Sequence, residues 1–121
     1  MRFEDFEVWK RSASLSVEIF KELKDLRDFA FKTQLSKTSL SIPSNIAEGY
    51  ERLSHKELLQ FLSYARGSSG ELRTQIYIGT KINYIDRKTG QKWITEAIEI
   101  SSMLTGLIKT RKKFIKNKHL S

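Results

Sequence analysis

The chain has 121 residues, enough for one domain with a real core and too few for two ordinary ones. It has no cysteine, which excludes disulfides, thiolate metal sites and a Cys nucleophile, and six glycines with one proline are too few for the frequent turns of an all-β domain. Its 22 Lys and Arg outweigh 14 Asp and Glu, for a net charge of +8.

That excess is uneven. Residues 1–85 hold 13 basic and 11 acidic side chains, whereas residues 86–121 hold nine and three, with no acid after Glu99. An end so biased points to an acidic partner, nucleic acid first; the plainer reading is a solvated basic tail. Residues 1–5, MRFED, lack the basic start and apolar run of a signal peptide, and no stretch reaches the roughly 18 apolar residues of a membrane span. A cytoplasmic protein without membrane contact is expected.

The first predicted helix covers about residues 5–24. Phe6, Trp9, Ala13, Val17 and Phe20 form one apolar stripe, and Val8, Leu15 and Ile19 a second about a third of a turn away. One face suffices for an isolated bundle, so the second suggests contact with another subunit.

A polar turn at 24–28 leads to Asp28, a candidate N-cap for a helix over about 29–53. Leu35, Ser39, Ile42, Ile46, Gly49 and Leu53 form its seam. Pro43 interrupts it, either as a kink or as the first turn of a new helix; the continuous seam favours the kink.

Ser54 and Glu57 read as a capping box opening the third helix. Leu58, Leu62, Ala65, Ser69, Leu72, Ile76 and Gly79 keep helical phase through Gly67-Ser68-Ser69-Gly70, so one long helix is expected, with small residues where a neighbour approaches. The last helix starts at Asp86 or Thr89 as cap. Trp93, Ala97, Ile100, Leu104, Leu107 and Phe114 form one row, and Ile94, Ile98, Ile108 and Ile115 another. Four helices joined by short turns predict an all-α fold, an antiparallel up-down four-helix bundle filling 1–121 as a single domain.

Little chemistry is legible. His55 sits in a helix cap and His119 near the terminus, neither with a ligand-spaced partner, and the Glu-x-x-His pairs of diiron bundles are absent. No phosphate-binding glycine loop is present either. No enzymatic activity, metal or cofactor is expected. Glu48 and Glu71 lie beside apolar seams; Glu48 is four residues before Arg52 and could meet Arg66 on the next helix, as an ion pair fixing register rather than an acid–base site. The candidate nucleic-acid-binding residues are Lys109, Arg111, Lys112, Lys113, Lys116 and Lys118, in the basic end of about 109–121.

Residues 41–50, SIPSNIAEGY, and 61–72, FLSYARGSSGEL, followed by Thr74-Gln75, resemble the two signatures of the 23S rRNA intervening-sequence proteins. The opening FEVWK and the late MLTGLI resemble the ends of that family's pattern. The resemblance implies a four-helix bundle whose second helix carries the proline, and structural roles for Pro43, Asn45, Glu48, Gly49, Arg66 and Glu71. It also implies a homo-oligomer, a pentamer, with no established enzymatic activity. Through related accessory proteins of diversity-generating retroelements it implies association with nucleic acid and a reverse transcriptase. Gly70 departs from the pattern, where a larger residue is expected. The reading is an oligomeric, RNA-associating accessory protein; the alternative is a scaffold for a protein partner, with incidental affinity for nucleic acid.

Overall fold

The computed structural model describes the backbone of residues 2–120 and side chains as far as Asn117. A short 3-10 turn, Phe3–Asp5, precedes four α-helices: α1 Glu7–Glu22, α2 Phe29–Glu51, α3 His55–Lys81 and α4 Arg87–Leu120. Each helix packs on the next, and α4 returns to α1 along the sparsest of the four seams. Every seam is antiparallel, as the bridging pairs show: Ser16 with Ser39, Thr38 with Glu71, Ser69 with Ala97, Arg11 with Glu96. This is the up-down bundle that the periodicity predicts.

The helix starts are chemical. The Asp28 carboxylate accepts from Phe31 N at 3.1 Å and Asp86 accepts from Thr89 N at 3.0 Å, each satisfying a donor that has no intrahelical partner. Those bonds hold both carboxyls below their ordinary pKa. Asp86 is therefore the cap of α4, and Thr89 lies within the helix. Ser54 Oγ accepts from Glu57 N at 3.1 Å, but the box closes differently from expectation: the Glu57 carboxylate takes the Ser54 hydroxyl and Arg52. The α3–α4 turn is closed by Tyr84 N and Ile85 N on Gly79 O, with Asn83 at φ 65°. Asn tolerates that left-handed conformation better than most residues.

Helix α2 runs through Pro43 as a single element, and Leu53 falls outside it, fully exposed. The core comprises Val8, Leu15, Ile19, Leu35, Ile42, Ile46, Leu62, Leu72, Ile76, Trp93, Ile100 and Leu104, all buried. Buried hydroxyls thread between these side chains. Ser16 and Ser39 bond each other at 3.0 Å, and Ser69 donates to Ala97 O at 2.8 Å.

The segment 67–70 is helical, as the seam predicts, but for another reason at its glycines. Only Ser69 is pressed against a neighbour; a Cβ on Gly67 or Gly70 would meet nothing within 4 Å. Helix-interior glycine costs about 1 kcal/mol relative to alanine. The double substitution Gly67→Ala/Gly70→Ala should therefore stabilise the protein by about 1–2 kcal/mol, read as a higher urea midpoint at unchanged m-value.

Candidate nucleic-acid interface

The N-terminal turn, the C-terminus of α2, the N-terminus of α3 and the C-terminal turns of α4 meet at one end of the bundle. Two aromatic contacts hold that end together: Phe6 stacks on Tyr50 with centroids 4.5 Å apart, and His55 meets Phe114 at 5.3 Å. The candidate cations stand on α4 here, where positive charge also suits the helix dipole. Lys109, Lys112, Lys113 and Lys116 are exposed and make no ion pair with any described residue. Lys109, Lys112 and Lys116 share one face by their three- and four-residue spacing.

Arg111 differs. It is half-buried and lies on the inward side, beside the Tyr50 phenol, whose pKa burial raises and the guanidinium's charge opposes. Tyr50 Oη is buried without a hydrogen-bond partner among the described residues. Arg111 is thus partly a packing residue, and the Lys118 side chain lies outside the described residues. Phe114 belongs to the surface at 48% exposure, as does Ile98, although both fall on apolar rows in the sequence.

The residues of the two signatures gather mostly where α2 meets α3. Gly49 lets the helices approach, since a Cβ there would stand 3.1 Å from Phe61 Cβ and 3.2 Å from Leu58 Cδ1. Asn45 Nδ2 bonds Ser41 O at 2.8 Å on its own helix. The Glu71 carboxylate accepts from Gln34, Thr38 and Gln75 at 3.3–3.4 Å. Glu48 pairs with Arg52 at 2.6 Å, and Arg52 reaches across the joint to Glu57 at 3.3 Å. The Glu48–Arg66 pair considered from sequence does not form. Phe61 and Glu71 mark the side of α3 that meets α2, and Arg66 lies on the other side, exposed and without an ion pair to any described residue.

Glu18, Glu96 and Glu99 are engaged along the α1–α4 seam. Arg11 grips Glu96 in a two-pronged bond at 3.0 and 2.5 Å and reaches Glu99 at 3.1 Å, which raises its pKa further. Glu18 accepts from Lys92 at 2.7 Å and from Trp93 Nε1 at 3.4 Å; the lysine bond is the main cause of its lowered pKa. No group of three or more His, Cys, Asp or Glu among the described residues is arranged to hold a metal, and no helix is long and apolar enough to cross a membrane.

The two apolar stripes of α1 separate cleanly. Val8, Leu15 and Ile19 are core, whereas Trp9, Ala13, Val17 and Phe20 line an open groove of about 650 Å³ with Leu40, Pro43 and Ala47 of α2. Val17 is 53%, Leu40 49% and Phe20 46% exposed, so no described residue covers the groove. The α2 wall is not part of the sequence reading, although Leu40, Pro43 and Ala47 keep the three–four spacing of a short second stripe.

No curated protein matches this chain by sequence. Among solved structures, it is similar to the crystal structure of a protein of unknown function from the S23 ribosomal protein family of Bacteroides thetaiotaomicron. The TM-score is 0.79 and the identity 24%, over 84% of this chain and 98% of that one, a likeness of fold. The sequence pattern described as 23S rRNA-intervening sequence protein matches residues 4–106, which take in both signatures and all of the helical joints above. On that match the chain belongs to the 23S rRNA-intervening sequence protein family.

Proposed function

We propose that this is a non-enzymatic, cytoplasmic accessory protein that self-associates and binds nucleic acid, RNA in preference, through its basic surface. The observation that carries the reading is the set of unpaired, exposed lysines on the last turns of α4, in a segment with no acidic residue after Glu99. Such cations neutralise phosphates, release counterions and give an affinity that falls steeply with salt. Aromatic side chains do not interleave with them, apart from Phe114, so little base preference is expected.

Self-association uses the open α1–α2 groove. Its lining is almost wholly apolar, its only charged residue is Lys21 at one edge, and a second copy of the same chain would bury it. A ring, a pentamer by family resemblance, repeats the lysine patch around its rim and sums weak contacts through avidity.

Size-exclusion chromatography with light scattering, run with and without RNA at two salt concentrations, tests both halves. A discrete oligomer that grows with RNA at low salt is expected. Val17→Asp/Leu40→Asp should yield a folded monomer, because both carboxylates would be desolvated on assembly yet remain hydrated in the free subunit. An oligomer indifferent to RNA would favour the alternative, a scaffold for a protein such as a reverse transcriptase. A monomeric wild type would remove the assembly.

A further inference from the structure

The outer face formed by α3 and α4, opposite the apolar groove, carries cations along its length, and the carboxylate at its edge is Asp86, beside the Tyr77 end and bonded to Thr89 as the α4 cap. On α3, Arg66, Gly70, Arg73 and Tyr77 share a side by their spacing, and Tyr77 lines a cleft with Gln91 and Ile94 of α4, which places that side against α4. On α4, Ile94, Ile98, Ser101, Thr105, Lys109, Lys112 and Lys116 continue the same face at steps of three and four. The acids of these two helices are elsewhere. Glu71 is turned to Gln34 and Thr38 of α2, Glu57 to Arg52, and Glu96 and Glu99 to Arg11 of α1. Arg66 is exposed and Arg73 half-buried, and neither makes an ion pair with any described residue.

The antiparallel contacts of the two helices set the spacing. Ser69 lies level with Ala97, Thr80 with Gly90, and His55 with Phe114. Arg73 and Arg66 are therefore about 10 Å apart along the axis, Lys109 follows roughly 10 Å further, and Lys112 and Lys116 complete a line of roughly 30 Å at 1.5 Å per residue. Gly70 leaves the ground between the two arginines low.

We propose that a nucleic-acid strand runs lengthwise along this α3–α4 face, with Arg66 and Arg73 as phosphate contacts, rather than being held only at the lysine-rich tip. The inference rests on the nucleic-acid reading above and gives it a direction and a length. It also gives the arginine of the second signature a role outside the bundle.

The test measures binding of a fluorescent 15-nucleotide oligouridylate against salt, for the wild type, Arg66→Gln/Arg73→Gln, Arg66→Lys/Arg73→Lys, Lys112→Glu/Lys113→Glu and, away from both the face and the groove, Lys24→Gln/Lys37→Gln. Loss of two phosphate contacts should lower the log–log salt slope of the Gln pair by about 1.4 and weaken binding about 25-fold near 0.1 M salt. The Lys pair should restore most of it, and Lys24→Gln/Lys37→Gln should bind as wild type. Equal thermal melts for the Gln and Lys pairs separate contact from folding. If the Gln pair keeps the wild-type slope while Lys112→Glu/Lys113→Glu loses binding, the lengthwise path is wrong and the tip remains the site. If the wild type itself does not bind, the nucleic-acid reading fails first, and the path with it.

Discussion

Lys112→Glu/Lys113→Glu should bind RNA about 10²-fold or more weakly than wild type near 0.1 M salt, with an unchanged helical circular dichroism spectrum. Each phosphate contact to a single strand contributes about 0.7 to the salt slope, so removing two contacts costs roughly 1.4 decades, and two new negative charges add a comparable repulsion. Both lysines are exposed and unpaired, so their reversal leaves no buried charge behind. Fluorescence anisotropy between 50 and 300 mM salt reads the effect. Full retention of affinity would take these two lysines out of the interface.

Trp93→Ala should lower stability by about 3–5 kcal/mol, a large share of the roughly 5–15 kcal/mol that such a domain possesses. Trp93 is fully buried in α4, and its indole N–H reaches Glu18 on α1 across the sparsest seam. Truncation therefore opens a cavity and loosens the Glu18–Lys92 pair together. Trp93→Phe keeps most of the volume and should cost markedly less. Urea unfolding followed by circular dichroism distinguishes the two; equal costs would assign the effect to the lost hydrogen bond rather than to the cavity.

Much of this bundle is legible because its signals are local. Asp28, Ser54 and Asp86 each mark a helix start with an oxygen that caps a free donor, and the α3 seam holds phase through 67–70. The two stripes of α1 are visible as periodicity. What periodicity does not say is which stripe faces the core, since Val17 and Ile19 look equally apolar and only the position of α2 and α4 decides between them. Interhelical pairing is harder still. Glu48 and Arg66 look compatible in sequence, but rotation of α3 sends them to opposite seams. The basic end is readable as composition, whereas the proposed line through Arg66 and Arg73 depends on four acids, Glu57, Glu71, Glu96 and Glu99, turning toward α1 and α2. Phe114 and Ile98 show the same limit, as apolar rows extend onto the surface: Ile98 is exposed although the adjacent Ala97 is packed against Ser69 of α3.

The buried serines bear on a different problem, how four similar helices choose a single alignment. Aliphatic seams repeating every three or four residues interlock almost as well after sliding by a turn, and a bundle built only of Leu and Ile has several nearly equivalent solutions. Here Ser16 finds Ser39, and Ser69 finds the carbonyl of Ala97, in one alignment alone. A slip by one turn would part Ser69 from Ala97 O and Ser16 from Ser39, which keeps its own bond to Ser36 O within α2, and each hydroxyl left unpaired would cost about 1–3 kcal/mol. These small polar groups serve as keys: they add little to the strength of the fold and much to its uniqueness.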